Sequence, residues 1–541
     1  MAIPFNEHYR FGSAGWANLD DLNCAGLLGG KGLQLGYMGD YPLHLDSDAP
    51  MITFGGAGSG KTRDELGYVV CTSPGVPMLA LDPRGELYEI SRTQHTAHGD
   101  YAFRWEPASP TGHCCNPLDF LTPDSPTLHA DIQFFTEGLI PLTGGNSAYF
   151  ELKARSWADC ILKGDVELHG YTSLSRLYLF VMSSANPDGL WGQLLTRLQQ
   201  SQFIDVAQAA SEMITKQDES PKEFGSVMGE LKNHIQFLSS PNLRAALDDK
   251  RDAEPDENRV YFSISDLLRL SPPFCKIHLV APAEFLGIWA PALRIFFIAA
   301  MILKARAPMA RRILLLVDEA GQLGKFEALL RAFTYGRGAG VRTWAIFQDT
   351  GQIKRNFSTD ALQSFIGSAQ VRQFFGVRDY DTAKFISDML GQETLQYNND
   401  LAQDQARQQR MKVFRSILNG TDPFEAASDY AHYHRAESHR SVQSRRLMTP
   451  DEILNMPEDR QILFVSGKNL KPIFGHKYPY YTRPEMVGRY LPNPYHPPLD
   501  RVLVAGQRSL RVITEQVPEK FALYPQHSDG IWSYCEGYRP H

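Results

Sequence analysis

The spacing of apolar and polar positions changes along the chain and separates α/β parts from a helical part. Short apolar runs typical of buried strands lie at 41–45, 50–54, 76–82, 260–264 and 276–280. Between Ser173 and Asp249 the apolar residues instead recur at helical spacing, with little strand alternation. The pattern therefore predicts an all-helical insertion within an α/β fold.

The second half of the chain alternates predicted strands with predicted helices. Apolar strands are predicted at 313–317, 341–347 and 370–377, and a last strand pair at 461–465 and 472–475. This alternation predicts a mainly parallel sheet with helices on both faces. Residues 400–447 are polar and rich in Gln and Arg, which predicts a mobile loop or a surface helix.

The longest apolar stretch, 285–303, is long enough to span a membrane. Pro291 and Arg294 lie in its middle, and Lys304 and Arg306 follow it. We therefore predict a buried core helix, which a large core also requires. The N-terminus shows no basic region followed by an apolar run, so we expect no signal peptide and a soluble chain.

Composition excludes several protein classes. Of 541 residues, 43% are hydrophobic and 21% are charged, which argues against a disordered chain. The net charge of −7 means that nucleic acid could be bound only by a local basic surface. Such a surface, or simply a solvated basic face, could be formed by Arg407, Arg410, Lys412, Arg415, Arg435, Arg440, Arg445 and Arg446. Seven cysteines indicate reduced thiols rather than a disulfide framework.

The strongest chemical signal is a complete G-x-x-x-x-G-K-T motif between an apolar strand and a helix. Its residues are Gly55, Gly56, Ala57, Gly58, Ser59, Gly60, Lys61 and Thr62. The glycines let backbone N–H groups surround a phosphate, Lys61 can neutralise the β- and γ-phosphate oxygens, and the Thr62 hydroxyl can ligate Mg²⁺. The structural alternative is a flexible glycine loop beside a solvated lysine.

Hydrolysis requires acids as well as a phosphate loop, and the apolar strand 313–317 ends in two. Asp318 would hold Mg²⁺, and Glu319 would orient and deprotonate the attacking water. Gln348 ends the next strand, where its amide could sense the γ-phosphate, position water or only cap the strand. Arg337 lies on a Gly-rich connection and could be an arginine finger for a neighbouring subunit or a sheet-edge salt bridge.

Two further groups of residues allow weaker hypotheses. Asp82 ends another apolar strand and could support the metal site or cap the helix that begins near Pro83. The His-Cys-Cys group at 113–115 and the histidines at 432, 434 and 439 lack a ligand spacing typical of metal sites. We therefore predict that neither binds a metal.

The order of these motifs resembles that of the type IV secretion coupling proteins, the TraG/TraD/Vir-type conjugative ATPases. The resemblance rests on LALDPRGEL (79–87), CNPLDF (115–120), VDEAGQLGK (317–325), YGRGAGVR (335–342), IFQD (346–349) and the segment 445–481. It covers about residues 12–485. It implies a RecA-like nucleotide-binding domain interrupted by an all-α domain, with the phosphate loop, Asp318, Glu319, Gln348 and Arg337 in the roles given above.

The resemblance also implies a function. Members of this family hydrolyse ATP with Mg²⁺, form homo-hexamers, and deliver relaxase-bound single-stranded DNA or effector proteins to type IV secretion channel components. They usually begin with a membrane-spanning hairpin, whereas this sequence starts close to the segment before the phosphate loop. Either the chain is a member without that anchor or the anchor was removed. We expect it to be cytoplasmic and peripheral at the inner face of the bacterial inner membrane, with a separate membrane anchor protein as a further partner.

The pattern and the resemblance together predict five segments. They are an N-terminal β-rich lead-in (1–50), the first part of the nucleotide-binding domain (51–170), the all-α insertion (171–255), the second part of the nucleotide-binding domain (256–485) and a C-terminal tail (486–541). Two other functions fit the residues: a HerA/FtsK-like DNA-pumping ATPase outside secretion, and a nucleotide-bound substrate receptor with little turnover. The helical insertion and the GEL, NPLD and TPDE elements argue against the first.

Overall fold

A computed structural model describes the chain in two compact units. The described residues are 12–97, 99–144, 148–186, 188–252, 259–397, 400–418, 441–486, 489–491, 493, 501–504, 508–519 and 530–536. The larger unit comprises Leu19–Val377, Pro457–Leu470 and Phe474–His541. The smaller unit comprises Met1–Asn18, Arg378–Met456 and Lys471–Ile473. The five predicted segments do not coincide with these units and stay a prediction.

Strands and helices alternate through most of the described chain. The strands are β1 (Leu33–Met38), β2 (Tyr41–Leu45), β3 (Met51–Gly55), β4 (Met78–Asp82), β5 (Tyr101–Trp105), β6 (Cys275–Val280), β7 (Ile313–Val317), β8 (Val341–Phe347), β9 (Val371–Phe375), β10 (Gln392–Tyr397), β11 (Ser441–Arg446), β12 (Arg460–Val465), β13 (Ile473–His476), β14 (Arg501–Val504), β15 (Arg508–Gln516) and β16 (Ile531–Cys535). The helices are α1 (Leu19–Cys24), α2 (Gly67–Thr72), α3 (Glu86–Ala97), α4 (Leu128–Leu139), α5 (Ala148–His169), α6 (Leu174–Met182), α7 (Leu190–Leu198), α8 (Ile204–Glu219), α9 (Pro221–Ile235), α10 (Pro241–Leu247), α11 (Ala283–Arg306), α12 (Glu327–Tyr335), α13 (Thr350–Asn356), α14 (Thr359–Ser368), α15 (Tyr380–Leu390), α16 (Asp400–Leu418) and α17 (Pro450–Leu454). Short 3₁₀ turns lie at Ser183–Ala185, Gln236–Ser239, Ile264–Leu268, Ala320–Leu323, Tyr480–Thr482 and Pro484–Met486, and a π-helical turn at Lys61–Leu66.

An eleven-stranded sheet organises the larger unit. Its strand order is β2-β1-β13-β12-β9-β3-β8-β7-β4-β6-β5. The strands from β9 to β5 run parallel, whereas β12 joins β9 and β2 joins β1 in antiparallel pairs. All residues of β3, β4, β7 and β8 are buried, because helices cover both faces of a parallel sheet. The predicted α/β class with a mainly parallel sheet is confirmed.

The helical part begins earlier in the chain than the sequence predicts. Helices α4 to α10 follow one another from Leu128 to Leu247, and α5 packs against α4, α8 and α9. Gly164 of α5 allows Leu198 of α7 to pack closely against it, because a Cβ at this position would lie 2.0 Å from Leu198 Cδ2.

Helix α11 is a core helix, as predicted. It is long and apolar enough to cross a membrane, but 72% of its apolar window is buried within the protein. Its one arginine in the apolar stretch, Arg294, donates from Nε to the Gly138 carbonyl and from Nη1 to the Leu323 carbonyl, each at 2.7 Å. Burial lowers the pKa of Arg294 to about 10. The arginine therefore joins helices and turns rather than facing lipid or water.

The strands of the structure differ from the predicted ones at several places, one of them a predicted strand that is absent. Residues 260–264 form no strand beyond a bridge between Tyr261 and Cys114, because Ser263 and Asp266 build a capping box that starts a 3₁₀ turn. The region 400–447 contains the predicted helix, α16, but also the strand β11. The C-terminal tail carries a three-stranded sheet, β14-β15-β16, although no strand was expected after 475. Arg435, Arg440 and the histidines at 432, 434 and 439 lie outside the described residues.

The smaller unit contains the antiparallel strand pair of β10 and β11. The two strands pair antiparallel from Gln392 opposite Arg446 to Tyr397 opposite Ser441. Helix α15 packs against α17. Arg446 joins the strand to α15 through an ion pair with Asp388 at 2.6 Å.

Candidate nucleotide site

The phosphate loop connects the buried central strand β3 to the π-helical turn. Gly58 and Gly60 have left-handed backbones, with φ of 71° and 85°. A Cβ at Gly60 would also lie 2.2 Å from Asp64 Oδ2, so only glycine fits there. The sequence motif thus forms a tight loop that leads into a helical segment. Loops of this kind bind anions through their backbone N–H groups.

The acid pair lies directly after β7, two strands from β3 in the sheet. The Glu319 backbone is left-handed, with φ of 52°, and its N–H donates to Asp318 Oδ1 at 2.9 Å. A non-glycine residue in this conformation is strained and is typical of functional sites.

Side chains from three parallel strand ends meet at Glu319. Lys61 Nζ donates to Glu319 Oε1 at 2.7 Å and to the Gly55 carbonyl at 3.3 Å. Gln348 Nε2, after β8, donates to Glu319 Oε2 at 2.9 Å. The structure therefore brings together the lysine, the acid pair and the glutamine that the sequence identified.

Two buried carboxyl groups flank this cluster. Burial, reinforced by the neighbouring Glu319 carboxylate, raises the pKa of Asp318 to about 7. Burial also raises the pKa of Asp82 to about 7. Asp82 Oδ2 accepts a hydrogen bond from the Tyr88 N–H at 2.9 Å, so it caps α3 while lining the same cavity. Both roles considered for Asp82 are compatible with this position.

A cavity of about 680 Å³ encloses these groups. Its walls include the loop residues 57–62, the acids Asp318 and Glu319, and Gln348. Several lining residues were not predicted: Arg63, Arg84, Glu86, Ala283, Leu286, Gln322, Tyr480, Tyr481 and Asn493. Tyr480 and Tyr481 belong to the segment 445–481 that carried the family resemblance, but that segment gave no hint of its place beside the phosphate loop.

The donor set fits a phosphate and Mg²⁺. Among the described residues, Ser59 Oγ is buried without a hydrogen-bond partner, and it belongs to the loop expected to bind phosphate. Thr62 and the buried Asp318 line the same cavity and offer the hard oxygen ligands that Mg²⁺ prefers. Among the described residues, no group of three or more His, Cys, Asp or Glu is arranged so that it could hold a metal ion. Mg²⁺ sites commonly combine one or two carboxylates with water and substrate phosphates.

Arg337 lies away from the other predicted site residues. It precedes β8, at the amino edge of the parallel strands, whereas the phosphate loop follows β3 at the carboxyl edge. Its Nε is 2.8 Å from Asp48 Oδ1, and Arg312 also pairs with Asp48. The side chain is 64% exposed. Within one chain Arg337 is thus a sheet-edge ion pair, and its role as a finger for a neighbouring subunit stays a prediction.

Comparison with known proteins agrees with the sequence motifs. Residues 13–497 match the family described as type IV secretory system conjugative DNA transfer. The chain is 24% identical over 414 residues to Protein VirD4 of Agrobacterium fabrum, covering 73% of this chain and 58% of that protein. It is 24% identical over 502 residues to the conjugal transfer protein TraG of Escherichia coli, covering 83% and 72%. The chain therefore spans a little over half the length of the VirD4 relative.

Solved structures show the same fold. The plasmid coupling protein TrwB in complex with ADP and Mg²⁺ superposes with a TM-score of 0.58 at 18% identity, covering 88% of this chain and 96% of that one. Its complex with the ATP analogue ADPNP gives a TM-score of 0.56 at 18% identity, with the same coverage of each chain. These matches confirm the RecA-like α/β core that the sequence predicts.

Proposed function

Because its match covers residues 13–497, the chain belongs to the type IV secretory system conjugative DNA transfer family, and we propose that it is an ATP-hydrolysing coupling protein. Its substrate would be relaxase-bound single-stranded DNA, an effector protein or both, delivered to components of a type IV secretion channel. The observation that carries this proposal is the convergence of Lys61, Glu319 and Gln348 in one cavity with Asp318 and Thr62.

Each residue of the cluster has a role in this proposal. The loop N–H groups and Lys61 bind the β- and γ-phosphates. Thr62 and Asp318 would hold Mg²⁺, and the ion would neutralise charge on the phosphate oxygens. Glu319 accepts a proton from the attacking water at a carboxylate oxygen, and the Gln348 amide, hydrogen-bonded to the same carboxylate, orients that water.

The surface of helix α16 supports the proposal that the substrate is polyanionic, as single-stranded DNA is. Arg407, Met411, Phe414 and Arg415 share one helical face because of their spacing. Met411 and Phe414 are each 49% exposed, and Arg407 and Arg415 are exposed beside them. Basic and aromatic side chains on one surface are typical of proteins that bind single strands through phosphates and stacked bases.

The proposed assembly and location are supported by the resemblance to the family. We propose a homo-hexamer with sites completed between subunits, in the cytoplasm at the inner face of the bacterial inner membrane. Its partners would be channel components and a membrane anchor protein. TrwB, which is similar to this chain, is itself named a conjugative coupling protein.

Steady-state ATPase measurements with and without single-stranded DNA test the proposed activity. Glu319→Gln should lower kcat at least about 100-fold while ADP still binds, because the base is lost and the phosphate loop remains. Glu458→Gln, at an exposed carboxylate, is the matched control. If the wild-type protein and Glu319→Gln are equally slow, the alternative of a nucleotide-bound receptor with little turnover replaces the motor.

A further inference from the structure

A buried lysine from the C-terminal part of the larger unit reaches the phosphate loop. Lys477 follows β13 and is 2% exposed. Its Nζ donates to the Ser59 carbonyl at 2.7 Å and to Asp64 Oδ2 at 2.9 Å, and lies 4.8 Å from the centroid of the Phe375 ring. A buried ammonium group is stable only when such partners surround it. Its partners here belong to the loop itself and to the helical turn that follows.

The contact with Ser59 determines the direction of a neighbouring N–H group. The peptide between Ser59 and Gly60 is trans and planar, so its N–H points opposite to its carbonyl. With the carbonyl held by Lys477, the Gly60 N–H points away from the lysine. Gly60 also lines the nucleotide cavity, whose walls are expected to supply N–H groups to phosphate.

We propose that Lys477 is a positioning residue that fixes the phosphate loop for nucleotide binding by holding the Ser59 carbonyl. The residue that follows β13 thereby completes a site whose other proposed parts follow β3, β7 and β8. This inference rests on the proposed nucleotide-binding function. A purely structural alternative is that Lys477 only neutralises the buried Asp64.

Two variants of the full chain distinguish these roles. Lys477→Met keeps an apolar chain of similar length beside Phe375, and should weaken ADP binding at least about tenfold, because one charged hydrogen bond to the loop is lost. It should also lower the Tm, because the buried Asp64 then keeps only its ion pair with the partly exposed Arg63. Lys477→Met combined with Asp64→Asn should recover the Tm but not the ADP affinity.

The outcomes are read from ADP titration calorimetry with Mg²⁺ and from thermal unfolding without nucleotide. Recovery of both Tm and affinity in the double variant would show that Lys477 acts only on Asp64 and would overturn the proposal, as would wild-type affinity in Lys477→Met. If the single variant does not fold, the double variant alone gives the test. Lys468→Met, at an exposed lysine of the same region, is the matched control. Failure of the wild-type protein to bind ADP would instead count against the proposed function.

Discussion

Lys61 Nζ lies 2.7 Å from Glu319 Oε1, although 258 residues separate the two in the chain. The pair keeps the phosphate-loop ammonium and the expected catalytic carboxylate at the same end of the cavity. A γ-phosphate bound by Lys61 therefore lies next to the group that would deprotonate water.

Removing this ammonium group should abolish nucleotide binding without unfolding the protein. In Lys61→Ala, Glu319 keeps its hydrogen bond from Gln348 and is 21% exposed, so no fully buried charge is left unpaired. We expect ADP affinity to fall by about 100-fold or more, since the charge-assisted contacts to the phosphates are lost. Calorimetric titration measures the affinity, and circular dichroism measures folding; an unfolded Lys61→Ala would contradict a role for the lysine in ligand binding alone.

The phosphate loop, the acid pair and Gln348 could be located from the sequence because their signals are local. Strands β7 and β8 have the predicted bounds, since each is fully buried and mainly apolar, and a polar residue follows its last position. The phosphate loop and acid pair lie at the ends of such strands, and the topology of a parallel sheet brings those ends together.

The contact between Lys477 and the phosphate loop could not be predicted in the same way, and neither could two parts of the secondary structure. Lys477 and Ser59 are 418 residues apart, and nothing in the periodicity around either residue indicates their contact. The strand β11 has the sequence SVQSRR, which is mainly polar and lacks the apolar alternation that would predict a strand paired with β10. At 260–264, side-chain capping by Ser263 replaced the strand that the apolar pattern suggested.

Gln348 should affect turnover rather than binding. Its side-chain amide donates to Glu319 Oε2, on the carboxylate that would accept the proton. Gln348→Ala should lower kcat by about tenfold to 100-fold and leave the ADP affinity within about twofold of wild type. Steady-state ATPase assays and ADP titration separate the two effects. Unchanged kcat would mean that Gln348 only caps the strand.

The basic face of α16 should contribute to binding of single strands. Arg407→Glu with Arg415→Glu should weaken binding of a labelled oligonucleotide about tenfold and reduce the slope of affinity against salt. Lys222→Glu with Lys250→Glu makes the same change in net charge at exposed lysines of the helical part and is the control. Equal losses in both double variants would point to net charge instead of this face.

Glu65 should make the stability of the protein depend on pH. Burial raises the pKa of Glu65 to about 8, although hydrogen bonding to Gln373 and Gln461 and the charge of Lys477 oppose this shift, while Asp64 adds to it. The folded protein therefore keeps a proton on Glu65 that the unfolded chain releases near its ordinary pKa. The free energy of unfolding should be unaffected by this group below about pH 4.5 and fall as the pH rises towards 8, by at most about 1.4 kcal/mol per pH unit.

The Glu65→Gln variant isolates this effect. It keeps the shape of the side chain but carries no charge at any pH. Urea unfolding at pH 5, 6, 7 and 8 should show the variant gaining stability relative to wild type as the pH rises. Parallel pH profiles for the two proteins would show that Glu65 is not the group responsible.

Arg337 should act on the nucleotide of a neighbouring subunit, because its position at the amino edge of the sheet separates it from the phosphate loop of its own chain. Arg337→Ala and Glu319→Gln should each be slow alone. Mixed at equal amounts, an Arg337→Ala subunit supplies Glu319 and an adjacent Glu319→Gln subunit supplies the arginine, so about a quarter of the interfaces should regain activity. Arg312→Ala is the matched control, because Arg312 shares the partner Asp48 and should leave the ATPase rate near that of wild type. No recovery at any mixing ratio would show that the Arg337–Asp48 ion pair only holds the sheet edge.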